Sequence, residues 1–325
     1  MDYAATLQWL YAQLPMYQRF GPAVLNPNLD RITALLAHLD NPHLKCKSIH
    51  VAGTNGKGSS SHMLASVLQE AGFTVGLYTS PHLKDFRERI RINGTPITEE
   101  FIVDFVNENK VFFEDEAFSF FEMTVGLAFY YFALQQLDVA VIEVGLGGRL
   151  DATNVISPEG CLITNISLDH QQFLGTTRAE IAREKAGIIK PKTPVVVVGH
   201  DAETFPVFKE IAQQKSAPLH IASQHDYKTD LLGDYQKHNI NGVVSLVMRL
   251  PQFSVSDEAI ARGLQNVVSN TSLRGRWEVI GQQPKIIADV AHNPAGLKAV
   301  FEQLKREQFD SLHIVFGMVQ DKNVD

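Results

Sequence analysis

The stretch SIHVAGTNGKGSSSHMLASVLQEAG, residues 48–72, decides the fold. Its first part, SIHVAG (48–53), is a short, nearly continuous apolar run, the pattern of a strand buried on both faces of a parallel sheet. Its last part has helical period: Met63, Leu64, Val67, Leu68 and Ala71 make one apolar stripe, and Gly72 supplies the stop. Between them lies Gly53-Thr54-Asn55-Gly56-Lys57-Gly58-Ser59. A glycine-rich turn from a buried strand into a helix is where a phosphate cradle works. Small residues let backbone N–H groups turn inward, the helix N-terminus adds positive potential, and a lysine reaches the terminal phosphates. The loop departs from the common G-x-x-x-x-G-K-[ST] form twice: Val51 stands at the first glycine, and Gly58 separates Lys57 from Ser59.

Outward from this unit the same alternation recurs. TVGLYTS (74–80), VAVIEVG (139–145), CLITNIS (161–167) and PVVVVG (194–199) read as further buried strands, with helical segments between them. Thr177 to Glu180 form a capping box that opens the helix IAREKAG, with Gly187 expected to close it. KDFRERIRINGTPIT (84–98) reads as an exposed charged loop plus a hairpin turning at Asn93-Gly94. Residues 201–283 are less regular. A second unit then opens: KIIADV (285–290), a turn at His292-Asn293-Pro294, a helix through Leu297, Val300, Phe301 and Leu304, and a strand LHIVFGM (312–318). The expectation is a phosphate-loop α/β domain over 1–281, its mostly parallel sheet flanked by helices. Next come a boundary at Gly281-Gln282-Gln283-Pro284 and the start of a second, Rossmann-like domain over 284–325, too short to enclose a core of its own.

Composition narrows the function classes. Lys plus Arg number 29 and Asp plus Glu 36, a net charge of −7, which argues against a protein that covers nucleic-acid phosphates. No apolar run approaches the roughly 18 residues of a membrane span, and the start lacks a basic-then-apolar signal. Two cysteines, Cys46 and Cys161, match no disulfide framework or zinc pattern and read as reduced thiols in the cytoplasm.

Ligands of open parallel sheets sit beyond the carboxyl ends of the strands. Glu143 closes one apolar run and His170 comes just after another, so both are expected on the edge that carries the phosphate loop. Magnesium bound with ATP keeps several waters and takes one or two protein ligands. Glu143, with His170 and the hydroxyl of Ser59 or Ser80, could supply them. Lys185 has two readings: a lysine complementing the dipole of its helix C-terminus, or one carbamylated by carbon dioxide that holds a second metal.

GTNGKGS, YTSPHL with ERI a few residues on, EVGLGGRLDATN, LDHQQFLG, REKAGIIKP, GDYQKHN, RGRWE and DVAHNP occur in this order. From about residue 20 to 325 the chain resembles the folylpolyglutamate synthase/dihydrofolate synthase family of the Mur-ligase superfamily, its RLDATN segment resembling the bacterial bifunctional form. The resemblance implies an ATP-dependent ligase, with magnesium, in two ions, as cofactor. It would join L-glutamate to dihydropteroate or to the γ-carboxylate of a folate through an acyl phosphate. It also implies roles. Thr54, Asn55, Gly56, Lys57, Gly58 and Ser59 would hold the ATP phosphates, and Ser59, Ser80, Glu143 and His170 the metal, joined by Lys185 if carbamylated. Asn239 would lie near the adenine. Arg276 and Asp289 would bring the second domain onto the ATP phosphates and ribose, and His292 would sit near the incoming glutamate. Ser119, Phe121 and Asp151 match pterin-binding positions, although Phe121 on residue type alone reads as a core aromatic. The family is usually monomeric, and its members continue past residue 325.

Two other readings compete. A Mur-type ligase could add an amino acid to a cell-wall nucleotide precursor, which the pterin-like segment 119–124 and the absence of an obvious nucleotide-sugar N-terminal domain weigh against. A nucleotide-binding switch could bind ATP tightly with no acceptor dependence.

Overall fold

The structure, a computed structural model, describes residues 1–13 and 28–317, so residues 20–27 of the resembling region and Met318 of the last expected strand lie outside it. Ten strands are described among these residues: β1 Ser48–Ala52, β2 Val75–Tyr78, β3 Ile90–Ile92, β4 Thr95–Pro96, β5 Val139–Glu143, β6 Gly160–Ile163, β7 Val195–Val197, β8 Leu219–Ile221, β9 Glu278–Gln282 and β10 Lys285–Ala288. The first eight form one sheet in the order β4-β3-β2-β5-β1-β6-β7-β8. All neighbours from β2 to β8 are parallel, while β3 and β4 add an antiparallel edge. All five strands expected from the apolar runs are present. The phosphate-loop strand β1 lies between β5 and β6, which places the residues after all three beside one another.

Side-chain alternation along the strands splits the core into two layers. Leu77 and Val141 face the helix Lys57–Glu70, while Tyr78, Ala140 and Ile142 face the opposite layer with Phe105, Phe120 and Phe132. Gly72, in the left-handed region at φ 93°, ends the phosphate-loop helix as expected, with its N–H donating to Gln69 O and that of Phe73 to Leu68 O. The capping box Thr177–Glu180 is formed. Gly187 does not close that helix, however. The helix runs Arg178–Lys185 and tightens into a 3-10 turn, Ala186–Ile188. Gly187 is needed for close approach instead: a Cβ there would lie 2.3 Å from Arg149 Cα.

Three further expectations are corrected. The hairpin with its turn at Asn93-Gly94 is present, but segment 84–98 is not an exposed loop. Pairing of β3 with β2 makes it the edge of the main sheet and buries Phe86, Ile90, Ile97 and even Arg89 and Arg91. KIIADV does not open a parallel sheet: β10 pairs antiparallel with β9, and Gly281 to Pro284 make their turn, so β9 belongs to the second unit. Residues 312–317 form no strand, having no ladder partner among the described residues, and Val315 is fully exposed. Residues 201–283, which showed no clear period, contain β8 and helices Phe205–Gln214, Gln236–Val247, Asp257–Gln265 and Val267–Thr271.

Candidate active site

The carboxyl ends of β1, β2, β5 and β6 open into a cleft of about 620 Å³. The phosphate loop forms its floor. Gly53 and Gly56 have φ of 152° and 88°, and a Cβ on Gly53 would lie 1.8 Å from Thr164 Oγ1. Thr164, just past β6, donates from that hydroxyl to Asn55 O at 2.7 Å and so clamps the loop from the neighbouring strand. Thr54, Asn55, Gly58 and Ser59 also line the cleft. Lys57 folds back onto its own loop, donating to Gly53 O at 2.9 Å and Thr54 O at 3.2 Å. Burial pulls its pKa down, opposed by Glu143, Asp169 and Asp151.

Lys185 comes from the far side of the sheet edge and donates to the same Gly53 carbonyl at 2.9 Å. It is 4% exposed, and burial, together with the nearby Lys57 charge, lowers its pKa to about 7. Of its two readings, complementing the helix dipole is not what this geometry serves: the ammonium turns into the cleft. Glu143, 4% exposed at the end of β5, is pushed up to about 6 by burial, with Lys57 and Arg276 pulling it back. It accepts the Ser80 N–H at 3.3 Å. A buried carboxylate so weakly satisfied, beside hydroxyls, is a donor suited to a hard cation. Among the described residues no three His, Cys, Asp or Glu side chains gather as a metal cage. His170 borders the cleft with left-handed φ 49°.

The second unit closes the cleft. Arg276 reaches Gly58, and its Nη2 would be 3.0 Å from a Cβ there. Asp289 accepts from Tyr235 Oη at 2.7 Å and from the backbone N–H of Trp277 and Ala291, both at 2.8 Å. It thereby fixes the chain on either side of the cleft. Asn239 donates to Gln236 Oε1, and Gln236 donates to Ser59 Oγ at 3.1 Å. His292 lies at the mouth, 3.7 Å from Asp169 Oδ2.

Comparison with known proteins agrees with this geometry. The Mur ligase middle domain matches residues 51–270, and the Mur ligase glutamate ligase domain matches 275–325. The dihydrofolate synthase/folylpolyglutamate synthase of Bacillus subtilis is 35% identical, over 98% of this chain and 80% of that protein. The chain belongs to the folylpolyglutamate synthase/dihydrofolate synthase family of Mur ligases. Its relatives are ATP-dependent ligases. The folylpolyglutamate synthase of Lacticaseibacillus casei is 34% identical over 99% of this chain and 81% of its own length. A probable bifunctional folylpolyglutamate synthase/dihydropteroate synthase of Haloferax volcanii is 36% identical, but this chain spans only 39% of it. Among solved structures, apo L. casei FPGS superposes with a TM-score of 0.84 at 32% identity, covering 94% of this chain and 80% of that one. E. coli FolC in complex with DHPP and ADP superposes at 0.79 and 30% identity, covering 96% and 77%.

The three residues matched to the family's pterin site do not line the cleft. Ser119 caps the helix Phe120–Leu134 in a capping box with Glu122. Asp151 is buried, accepting the Leu146 N–H at 2.8 Å and both the N–H and the hydroxyl of Thr153. Phe121 packs behind Gly145, where a Cβ would lie 2.4 Å from Phe121 Cζ and 3.1 Å from Asp151 Oδ2. Gly145, which does line the cleft, is thus the thin wall between the two groups. Sequence reasoning passed over Asp169, Asn293, Thr164 and Arg91. The pair Asp169-His170 at a strand end was the available signal for the first, while the others are set by contacts over long sequence separations.

Proposed function

We propose that this family member is an ATP-dependent amide ligase that joins L-glutamate to dihydropteroate or to the γ-carboxylate of a reduced folate. The observation that carries the reading is the convergence of Lys57, Lys185, Glu143 and Arg276 on one loop, two amines, a guanidinium and a buried carboxylate where phosphate charge must be neutralised. The names FPGS-AMPPCP-folate complex and FolC with DHPP and ADP support the substrate classes. In this reading the ATP phosphates settle on the N–H groups of residues 53–59, and Lys57 leaves the Gly53 carbonyl for the transferred phosphoryl group. The acid's carboxylate oxygen attacks the γ-phosphorus, the bond to the β,γ-bridging oxygen breaks, and ADP leaves as the acyl phosphate forms. The glutamate amine, arriving near His292, attacks the acyl carbon, and the tetrahedral adduct expels phosphate. The protein contributes positioning and charge rather than covalent chemistry.

Ser59, Ser80, Glu143 and His170 would hold magnesium, which supplies charge neutralisation between the phosphates and the acid. Lowered to about 7 by burial and the nearby Lys57 charge, Lys185 has a substantial neutral fraction near pH 7, the form that carbon dioxide converts to a carbamate. Lys185 so modified would become an anion able to hold a second ion. Asn239 would face the adenine, and Arg276 the phosphates. Ser119, Phe121 and Asp151 would hold the pterin behind Gly145. The setting proposed is a monomer in the cytoplasm with small-molecule partners, supported by the mildly acidic charge and the absence, among the described residues, of a helix long and apolar enough to cross a membrane. The test is ADP release with magnesium, ATP, L-glutamate and dihydropteroate or a reduced folate. Release that ignores either the acid or the glutamate overturns the proposal.

A further inference from the structure

Gln236 opens the helix Gln236–Val247 and stands behind the part of the cleft wall formed by Ser59 and Asn239. No step of the proposed chemistry uses it. It is 1% exposed, as is Ser59, and Asn239 is 6% exposed. Residues spaced three apart share a helix face, and two such pairs meet here. A Cβ on Gly56 would lie 2.3 Å from Asn239 Oδ1, so Asn239 rests against the loop backbone. One turn on, Gln236 Nε2 donates to Ser59 Oγ at 3.1 Å, while Gln236 Oε1 accepts from Asn239 Nδ2 at 2.7 Å. Among the described residues no other bond uses Asn239 Oδ1 or its second Nδ2–H.

A carboxamide carries donors at one end and an acceptor at the other, so each end of Gln236 fixes a different neighbour. With Nε2–H on Ser59 Oγ, the serine hydroxyl keeps one lone pair and its own proton. With Oε1 taking one Nδ2–H, Asn239 is left with one N–H and one carbonyl oxygen side by side. That pair complements N7 and the N6 amino group of adenine. Hypoxanthine carries an oxygen at position 6, which would meet Asn239 Oδ1. Turning the Asn239 amide over to suit it would set Oδ1 against Gln236 Oε1. We propose that Gln236 is a positioning residue that locks the Asn239 amide in its adenine-reading orientation and ties that orientation to the Ser59 hydroxyl. Base choice and the phosphate loop are thereby coupled through one buried side chain. The inference rests on the placing of ATP in the ligase reading, and adds to it a residue that touches neither substrate nor metal.

The experiment is calorimetric titration of ATP and of ITP, both without magnesium, into wild type, Gln236→Met, Gln236→Glu, Asn239→Ala, Ser59→Ala and the double variant of Gln236→Met with Asn239→Ala. The readout is the ratio of the two affinities, which a merely structural loss would not move, because both nucleotides share ribose and phosphates. Wild type should favour ATP by about 10-fold to 100-fold. Gln236→Met should cut that preference by about 5-fold to 10-fold. Gln236→Glu, whose carboxylate still accepts from Asn239, should keep it. In the double variant Gln236→Met should change the ratio no further than Asn239→Ala alone. Ser59→Ala, remote from the base, should narrow the ratio by about 2-fold to 5-fold, and it decides the matter if Gln236→Met does not fold. Equal weakening of ATP and ITP by Gln236→Met, or an unchanged ratio in Ser59→Ala, overturns the positioning role alone. A wild type without preference for ATP over ITP overturns the placing of Asn239 at the adenine as well. Failure of the wild type to bind ATP overturns the ligase reading with it.

Discussion

Asn55 and Asn293, 238 positions apart, face each other through a reciprocal amide pair: Asn55 Nδ2 donates to Asn293 Oδ1 at 3.1 Å and Asn293 Nδ2 to Asn55 Oδ1 at 2.9 Å. Asn293 also donates to Asp169 Oδ2 at 3.0 Å and, as N-cap of the helix Pro294–Leu304, accepts the Gly296 N–H at 2.9 Å. One side chain therefore ties the phosphate loop, the strand end that carries His170, and the second unit together. The second unit has little core of its own, and on the helix Pro294–Leu304 only Gln303 is buried. Polar contacts of this kind, with Gln303 Nε2 donating to Leu232 O and Arg306 pairing with Asp234, set its position.

Asn293→Ala should therefore cost more than an ordinary cap. Loss of the cap is worth about 1 kcal/mol, and Asn55 and Asp169 are left with unmet partners for a similar further amount. Urea denaturation should show a loss of about 2 kcal/mol, and KM for ATP should rise. A loss under half a kilocalorie would mean that water replaces the pair without cost.

Lys57→Ala should remove charge stabilisation from the phosphoryl group with little effect on the fold, since among the described residues its ammonium bonds only to its own loop. The expected fall in ADP release is about 100-fold to 1,000-fold, the range for one preorganised electrostatic contact. Thermal melting of the same preparation should be unchanged within a few degrees.

Gly53→Ala and Gly72→Ala separate two reasons for glycine. At Gly53 a Cβ meets Thr164 at 1.8 Å in a positive-φ backbone, whereas at Gly72, φ 93°, the space is open. Gly72→Ala should cost about 1 kcal/mol from backbone strain alone. Gly53→Ala should cost about 3 kcal/mol or more, as overpacking adds to it, and should abolish ATP binding. Equal stabilities of the two variants would show that the loop yields.

The pH profile of the ligand-free chain should carry two opposed signatures. Glu143 is raised from 4.5 to about 6, so between those values the folded state holds more protons and stability falls as pH rises. Lys185 is lowered from 10.5 to about 7, so between pH 7 and 10.5 the unfolded state holds more protons and stability rises with pH. Glu143→Gln should flatten the first slope and Lys185→Met the second in urea titrations across that range. With magnesium and ATP present, bicarbonate should raise wild-type turnover near neutral pH and leave Lys185→Met unaffected. Chelation of the metal should stop turnover in both.

The local patterns were decisive where a segment's own chemistry determines its state. Residues 48–72 alone specified a buried strand, a phosphate-binding turn and an amphipathic helix, because each rests on contacts within a few positions. The ordered motifs then pointed to Lys57, Glu143, Lys185, Arg276 and His292, and the fold brings these to one cleft. Tertiary structure decided the rest. Segment 84–98 reads as solvated because charges crowd its first half, yet the free edge of β2 recruits it as a strand and buries Arg89 and Arg91. Among the helices between 201 and 283, Gln236–Val247, Asp257–Gln265 and Val267–Thr271 pack against the phosphate-loop helix and Phe205–Gln214 against Arg178–Lys185, contacts over long sequence separations. Pairings such as Asn55 with Asn293, or two lysines on the Gly53 carbonyl, leave no local trace, since strand order in the main sheet and the docking of the second unit set which loops meet.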